Sequence, residues 1–133
     1  MTYTEGEVEQ ATLEYFDGDN LATNVWITKY ALKNKKGELL EKTPDDMHKR
    51  LAREFSRIEK KFGGERSLTE KKIYNLLKNF DHIVPQGSPM MGIGNDHVNV
   101  SLSNCVVIES PKDNVSSIMD SGKELANLFK RRC

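Results

Sequence analysis

Residues 43–62, TPDDMHKRLAREFSRIEKKF, carry the most decisive pattern in the chain. Thr43 stands where a helix N-cap is wanted and Pro44 fits the first helical position. Asp45 and Asp46 face the positive end of the helix dipole, and Lys60 and Lys61 face the negative end. Met47, Leu51, Phe55, Ile58 and Phe62 recur at spacings of four, four, three and four. That period predicts one apolar stripe on a long amphipathic helix, with the charged residues on a solvated face. Gly63 and Gly64 end it.

Upstream, EVEQATLEYF and DNLATNVWITKYAL read as two shorter helices. Asp17-Gly18-Asp19 splits them, and Asp19 can cap the second. Trp26 and Tyr30 lie one turn apart and read as core anchors on a shared face. Lys36-Gly37 makes a turn, and GELLEK after it is a short extended connector. Downstream, Ser67 with Glu70 reads as a capping box before KKIYNLLKNF, in which Ile73, Leu76, Leu77 and Phe80 form another stripe.

After Phe80 the texture changes. DHIVPQGSPMMGIGNDH has two prolines, three glycines and no helical period, so it reads as a long loop of the kind that is often functional. Its GIGN lacks the strand before and helix directly after that a dinucleotide fingerprint needs, so Gly92, Gly94 and Asn95 read as turn formers. VSLSNCVVIES (100–110) follows as a strand. Ser110-Pro111 ends it, and DNVSSIMDSGKELANLFKRR makes a last helix with Ile118, Gly122, Leu125 and Phe129 on one side. That single strand has no partner in these residues, and GELLEK is too short and polar to complete a sheet. An unpaired strand leaves its own backbone unsatisfied, so a continuation of the chain beyond KRRC is expected.

Composition bounds the rest. Twenty basic and twenty acidic residues cancel among 133, so no overall field draws the chain to nucleic acid or to an anionic membrane. No apolar run approaches a membrane span, and MTYTEGEVEQ has neither the basic nor the apolar region of a signal peptide. A cytoplasmic chain with reduced thiols is the default. His48, His82 and His97 share no ligand spacing with Cys105 or Cys133, so no metal site is expected.

Cys105 admits two readings. Free cysteine is usually a packed structural thiol. Strand alternation, however, puts Cys105 on the side of Ser101 and Ser103, opposite Val100, Leu102 and Asn104, and a thiol among hydroxyls suits a cavity for a polar ligand. A redox sensor pairing Cys105 with Cys133 ranks last, because Cys133 stands 28 residues on, at the chain end.

Taken together, LEYFDGDNLATNVWITKYAL, EKTPDDMHKRLAREFSRIE, HIVPQGSPMMGIGN, VSLSNCVVIES and ELANLFKRR resemble the opening of the catalytic large chain of ribonucleotide reductases. PQGSPMMGIGN and SLSNC are the most specific pieces. The resemblance implies a mainly α chain with a small β part: a helical N-terminal domain over 1–80, then a loop, the first strand and the following helix of a ten-stranded α/β barrel over 81–133. By that resemblance Cys105 is one of two redox-active cysteines that reduce the ribonucleotide, its partner and the radical cysteine lying outside this chain. Such a pair must come within disulfide reach, Cα to Cα roughly 4.4–6.8 Å. Ser88, Ser103 and Asn104 would line the substrate pocket. Asp113, Asn114 and Val115 would begin the effector-nucleotide site, with a helix N-cap as the second role open to Asp113.

The resemblance further implies a thioredoxin-type reductant, the remainder of the large chain as partner, and a homodimer when complete. The radical source would be adenosylcobalamin or a metal-containing small subunit, with a lean towards the cobalamin-dependent type, and no cofactor is expected on this segment alone. Control by ATP and dATP through the family's ATP-binding cone is not expected from this segment. Alone, the segment is expected to be inactive. The rival from a different class is a non-catalytic helical interaction module with a structural cysteine.

Overall fold

The computed structural model describes residues 1–64 and 67–131, and the sequence readings of Arg132 and Cys133 lie outside these. Six helices run in order: α1 (Glu5–Tyr15), α2 (Asn20–Lys29), α3 (Pro44–Phe62), α4 (Glu70–Leu77), α5 (Gly87–Gly92) and α6 (Val115–Lys130). A 3₁₀ turn, Lys78–Phe80, follows α4 directly.

Local chemistry accounts for the helix ends. Thr4 and Glu7 form a reciprocal capping box on α1, the Thr4 N–H donating to the Glu7 carboxylate at 2.9 Å. That bond to the Thr4 backbone, helped by the Thr4 hydroxyl, holds the Glu7 carboxyl below its usual range. Asp17 and Gly18 adopt positive φ, turning the chain so that the Asp19 carboxylate accepts from the Ala22 N–H and starts α2. Pro44 opens α3, and the Asp46 carboxylate accepts from the Lys42 N–H at 2.9 Å. Gly63, at φ 65°, ends α3.

α3 packs most extensively against α4, and α1 against α2. Val8, Trp26, Met47, Leu51, Ile73 and Leu77 share one core, each such side chain contributing roughly 1.5–3 kcal/mol of burial. Met90 of α5 joins that core, so the helical layer extends past residue 80. Leu39 bridges to both Tyr3 and Lys33, the extended role expected of the GELLEK connector.

The structure corrects several sequence expectations. α4 is capped by Thr69, whose hydroxyl accepts from the Lys72 N–H, while the Ser67 hydroxyl donates to the Gly64 carbonyl. The 81–97 loop contains α5, a turn of helix too short for any period to show. The α3 stripe is buried only in its first half: Met47 and Leu51 are fully enclosed, whereas Phe55, Ile58 and Phe62 are 41%, 39% and 82% exposed. Nor are the polar residues of α3 uniformly solvated, since His48 and Arg50, on the flanks of the stripe, are buried. Residues 98–108 form no ladder, and among the described residues only the two isolated bridges at Leu39 pair extended backbone. Physically this follows from the missing partner strand. On α6, Ile118, Leu125 and Phe129 are exposed, so that apolar side covers nothing described here. Among the described residues no helix is long and apolar enough to cross a membrane.

One strained point stands out. Asn79 and Phe80 both have positive φ, 54° and 60°. Phenylalanine there costs about 1–2 kcal/mol, held by packing. Its ring meets the buried His48 imidazole edge-on at 4.5 Å and stacks on Phe16 at 6.4 Å.

Candidate functional site

The segment from Gln86 to Asn95 is the hub of the candidate site, and its glycines show why. A Cβ on Gly92 would lie 2.6 Å from Cγ2 of Val100 and 2.8 Å from Cδ2 of Leu102. A Cβ on Gly94, at φ 70°, would meet Cγ of Arg50 and of Glu54 at 2.9 Å. The two glycines of GIGN thus let this segment approach residues 100–102, just ahead of Cys105, on one side and α3 on the other. Gly94 is the turn former the sequence implies, and Gly92 serves close approach instead. Gly87 lies against the Tyr30 ring, which ties the second core anchor to the same segment.

Arg50 fixes the far end of α5. Its Nε donates to Oε1 of Glu41 at 2.7 Å, and Nη2 reaches Oε2 at 3.3 Å. Nη2 also donates to the Met90 carbonyl at 2.8 Å, and Nη1 donates to the Ile93 carbonyl. Oε2 of Glu41 further accepts the Leu32 N–H at 2.8 Å. Arg50 is 8% and Glu41 4% exposed, so the pair is desolvated and hydrogen-bonded on every side that the fold provides. No sequence motif marks either residue. The available signal was the place of Arg50, three residues after Met47 and directly before Leu51, on the flank of the buried stripe.

At the near end of α5 two sequence-chosen residues meet. The Ser88 N–H donates to Oδ1 of Asn104 at 2.9 Å, and Ser88 is itself buried. Cys105, the next residue, is an exposed free thiol, so it is not a packed structural cysteine within the described residues. Ser103 is exposed, and its N–H donates to the Ser101 hydroxyl at 3.1 Å, a local bend that a fully laddered strand does not make. The Ser101 N–H donates to the Arg131 carbonyl at 2.9 Å, holding the segment to the end of α6.

Asp113, Asn114 and Val115 lie together at the start of α6. The cap is Asn114, not Asp113: its Oδ1 accepts from the Ser117 N–H at 2.9 Å. That leaves the Asp113 carboxylate exposed and Val115 exposed beside it. Among the described residues no group of three or more His, Cys, Asp or Glu side chains could hold a metal ion.

The family model described as the ribonucleotide reductase all-alpha domain matches residues 16–97, well over half of the chain. The chain belongs to the ribonucleotide reductase large-chain family. The match spans α2 to α5 of the reductase segment, with Glu41, Arg50 and Ser88 inside it and Asn104, Cys105 and Asp113 beyond it. Comparison with curated proteins and with solved structures gave no match.

Proposed function

We propose that this chain supplies the helical N-terminal domain and the opening of the catalytic barrel of a ribonucleotide reductase, with Cys105 as one of its two reducing thiols. Replacing a ribose hydroxyl by hydrogen takes two electrons and two protons, and the oxygen leaves as water. Two thiols that become one disulfide supply both electrons and both protons, and thiol–disulfide exchange with a thioredoxin-type protein restores them. The observation that carries the reading is an exposed, unpaired thiol one residue beyond the asparagine that holds Ser88. A thiol that must face substrate and later a partner cysteine has to be accessible, as Cys105 is.

In this reading residues 1–80 form most of the helical domain, onto whose core α5 packs through Met90, and the rest of 81–133 is the start of the barrel, whose other strands come from the remainder of the large chain. Ser88, Ser103 and Asn104 line the substrate pocket. Asp113, its carboxylate unengaged by the α6 cap, accepts hydrogen bonds from the sugar or base of the effector, beside Asn114 and Val115. The radical source, adenosylcobalamin or a metal-containing small subunit, is assigned to no residue described here.

The test is reduction of ribonucleotides by this chain assembled with the remainder of the large chain. Cys105→Ser is expected to abolish thioredoxin-driven turnover while leaving the far-ultraviolet dichroism and urea midpoint unchanged. Turnover undiminished by that substitution would overturn the reading.

A further inference from the structure

We infer that Arg50 is a positioning residue that sets Ser88 and Asn104 in the substrate pocket through α5, an inference that rests on the reductase reading of that site. The geometry gives Arg50 two jobs. Its Nε and one Nη2 contact engage Glu41, and these alone would satisfy a structural ion pair. Its remaining donors turn away from Glu41 onto the carbonyl of Met90 in α5 and that of Ile93, the C-cap of α5.

α5 spans only Gly87–Gly92, about 9 Å at 1.5 Å per residue, which is too short to hold its own direction. Fixing its C-terminal carbonyls therefore fixes the Ser88 N–H at its other end. That N–H is the one bound to Oδ1 of Asn104, the neighbour of Cys105. Gly94 lets the Arg50 stem lie against the backbone with no side chain between them, so the guanidinium has one setting. The path runs from Glu41, anchored on the Leu32 N–H, through Arg50 and α5 to Ser88 and Asn104.

A lysine at position 50 keeps the charge beside Glu41, but a single ammonium cannot span a carboxylate and two carbonyls in one plane. The experiment compares Arg50→Lys with Arg57→Lys, a control on an exposed arginine about two turns further along α3, in the assembled reductase. Two readouts are taken, ribonucleotide kinetics and hydrogen exchange of the peptide containing Ser88. The expected result for Arg50→Lys is a KM raised about tenfold and a kcat lowered about 10- to 100-fold. Exchange at Ser88 should quicken about tenfold with α1 and α2 unchanged, and Arg57→Lys should match the wild type. A purely structural loss would reduce the amount of active enzyme and quicken exchange throughout, without moving KM. Wild-type KM, or wild-type exchange at Ser88, in Arg50→Lys overturns the inference. If Arg50→Lys does not fold, Glu41→Gln, which keeps an acceptor for the Leu32 N–H, is read by the same two measurements. A wild-type assembly that reduces no ribonucleotide defeats the reductase reading instead, and Ser88 exchange then decides the role of Arg50 by itself.

Discussion

Nε of Arg50 and Oε1 of Glu41 lie 2.7 Å apart, almost wholly removed from solvent, and the same guanidinium holds the carbonyls of Met90 and Ile93. Removing one partner leaves a buried charge without compensation. Glu41→Ala is therefore expected to lower the stability of the helical layer by roughly 3–5 kcal/mol. Urea unfolding followed by tryptophan emission, which reports on the buried Trp26, measures this directly. A loss below about 1 kcal/mol would mean the pair is open to water in solution.

The two halves of the α3 stripe should behave differently. Leu51→Ala empties a fully buried site and is expected to cost about 2–5 kcal/mol. Phe62→Ala, at a position 82% exposed, should change stability by no more than about 0.5 kcal/mol. Equal losses at the two sites, measured on the same urea curves, would place Phe62 against a neighbour within this segment.

Gly92→Ala and Gly94→Ala probe the hub from its two sides. At Gly94 the added Cβ meets both positive φ and the stems of Arg50 and Glu54, so a cost of about 1–3 kcal/mol is expected. At Gly92 the backbone tolerates alanine but Val100 and Leu102 must retreat. The helical layer should then keep its unfolding midpoint while amides of residues 100–104 exchange faster. Protected amides in that stretch after Gly92→Ala would contradict the packing described.

Acid should weaken the fold through His48. Burial among Phe80 and its neighbours holds the imidazole pKa below its ordinary value, the nearby Asp45 opposing this only in part. Asp45 is itself drawn upward by burial, yet bonds from Lys49 and Tyr74 outweigh that and leave its carboxyl low. A depressed histidine favours folding while neutral. Its contribution is complete above the unfolded value near 6.5 and is lost as pH falls through the folded one. His48→Gln should flatten the fall in stability as pH drops below about 6.5, a comparison made by thermal melts on the acid side of that value. Tyr15 acts at the other end: burial, with Asp45 nearby, pushes its hydroxyl up to about 12, so its share is lost as pH rises from about 10 towards that value. Tyr15→Phe should flatten the alkaline side in the same way.

What the sequence determined by itself is local. The capped starts at Thr43 and Asp19, the glycine stop at Gly63, the core places of Met47, Leu51 and Trp26, and the absence of a partner for residues 98–108 follow from propensity, period and backbone accounting within short windows. Tertiary structure alone decided the rest. It chose which half of the α3 stripe is covered and seated α5, in a patternless loop, on the helical core. It also brought Ser88 to Asn104 across sixteen positions and sent the donors of Arg50 from Glu41 to carbonyls some forty residues away. Such pairings depend on where separate helices come to rest, and a buried charge shows its partner only once both ends of the chain that carry it are in place.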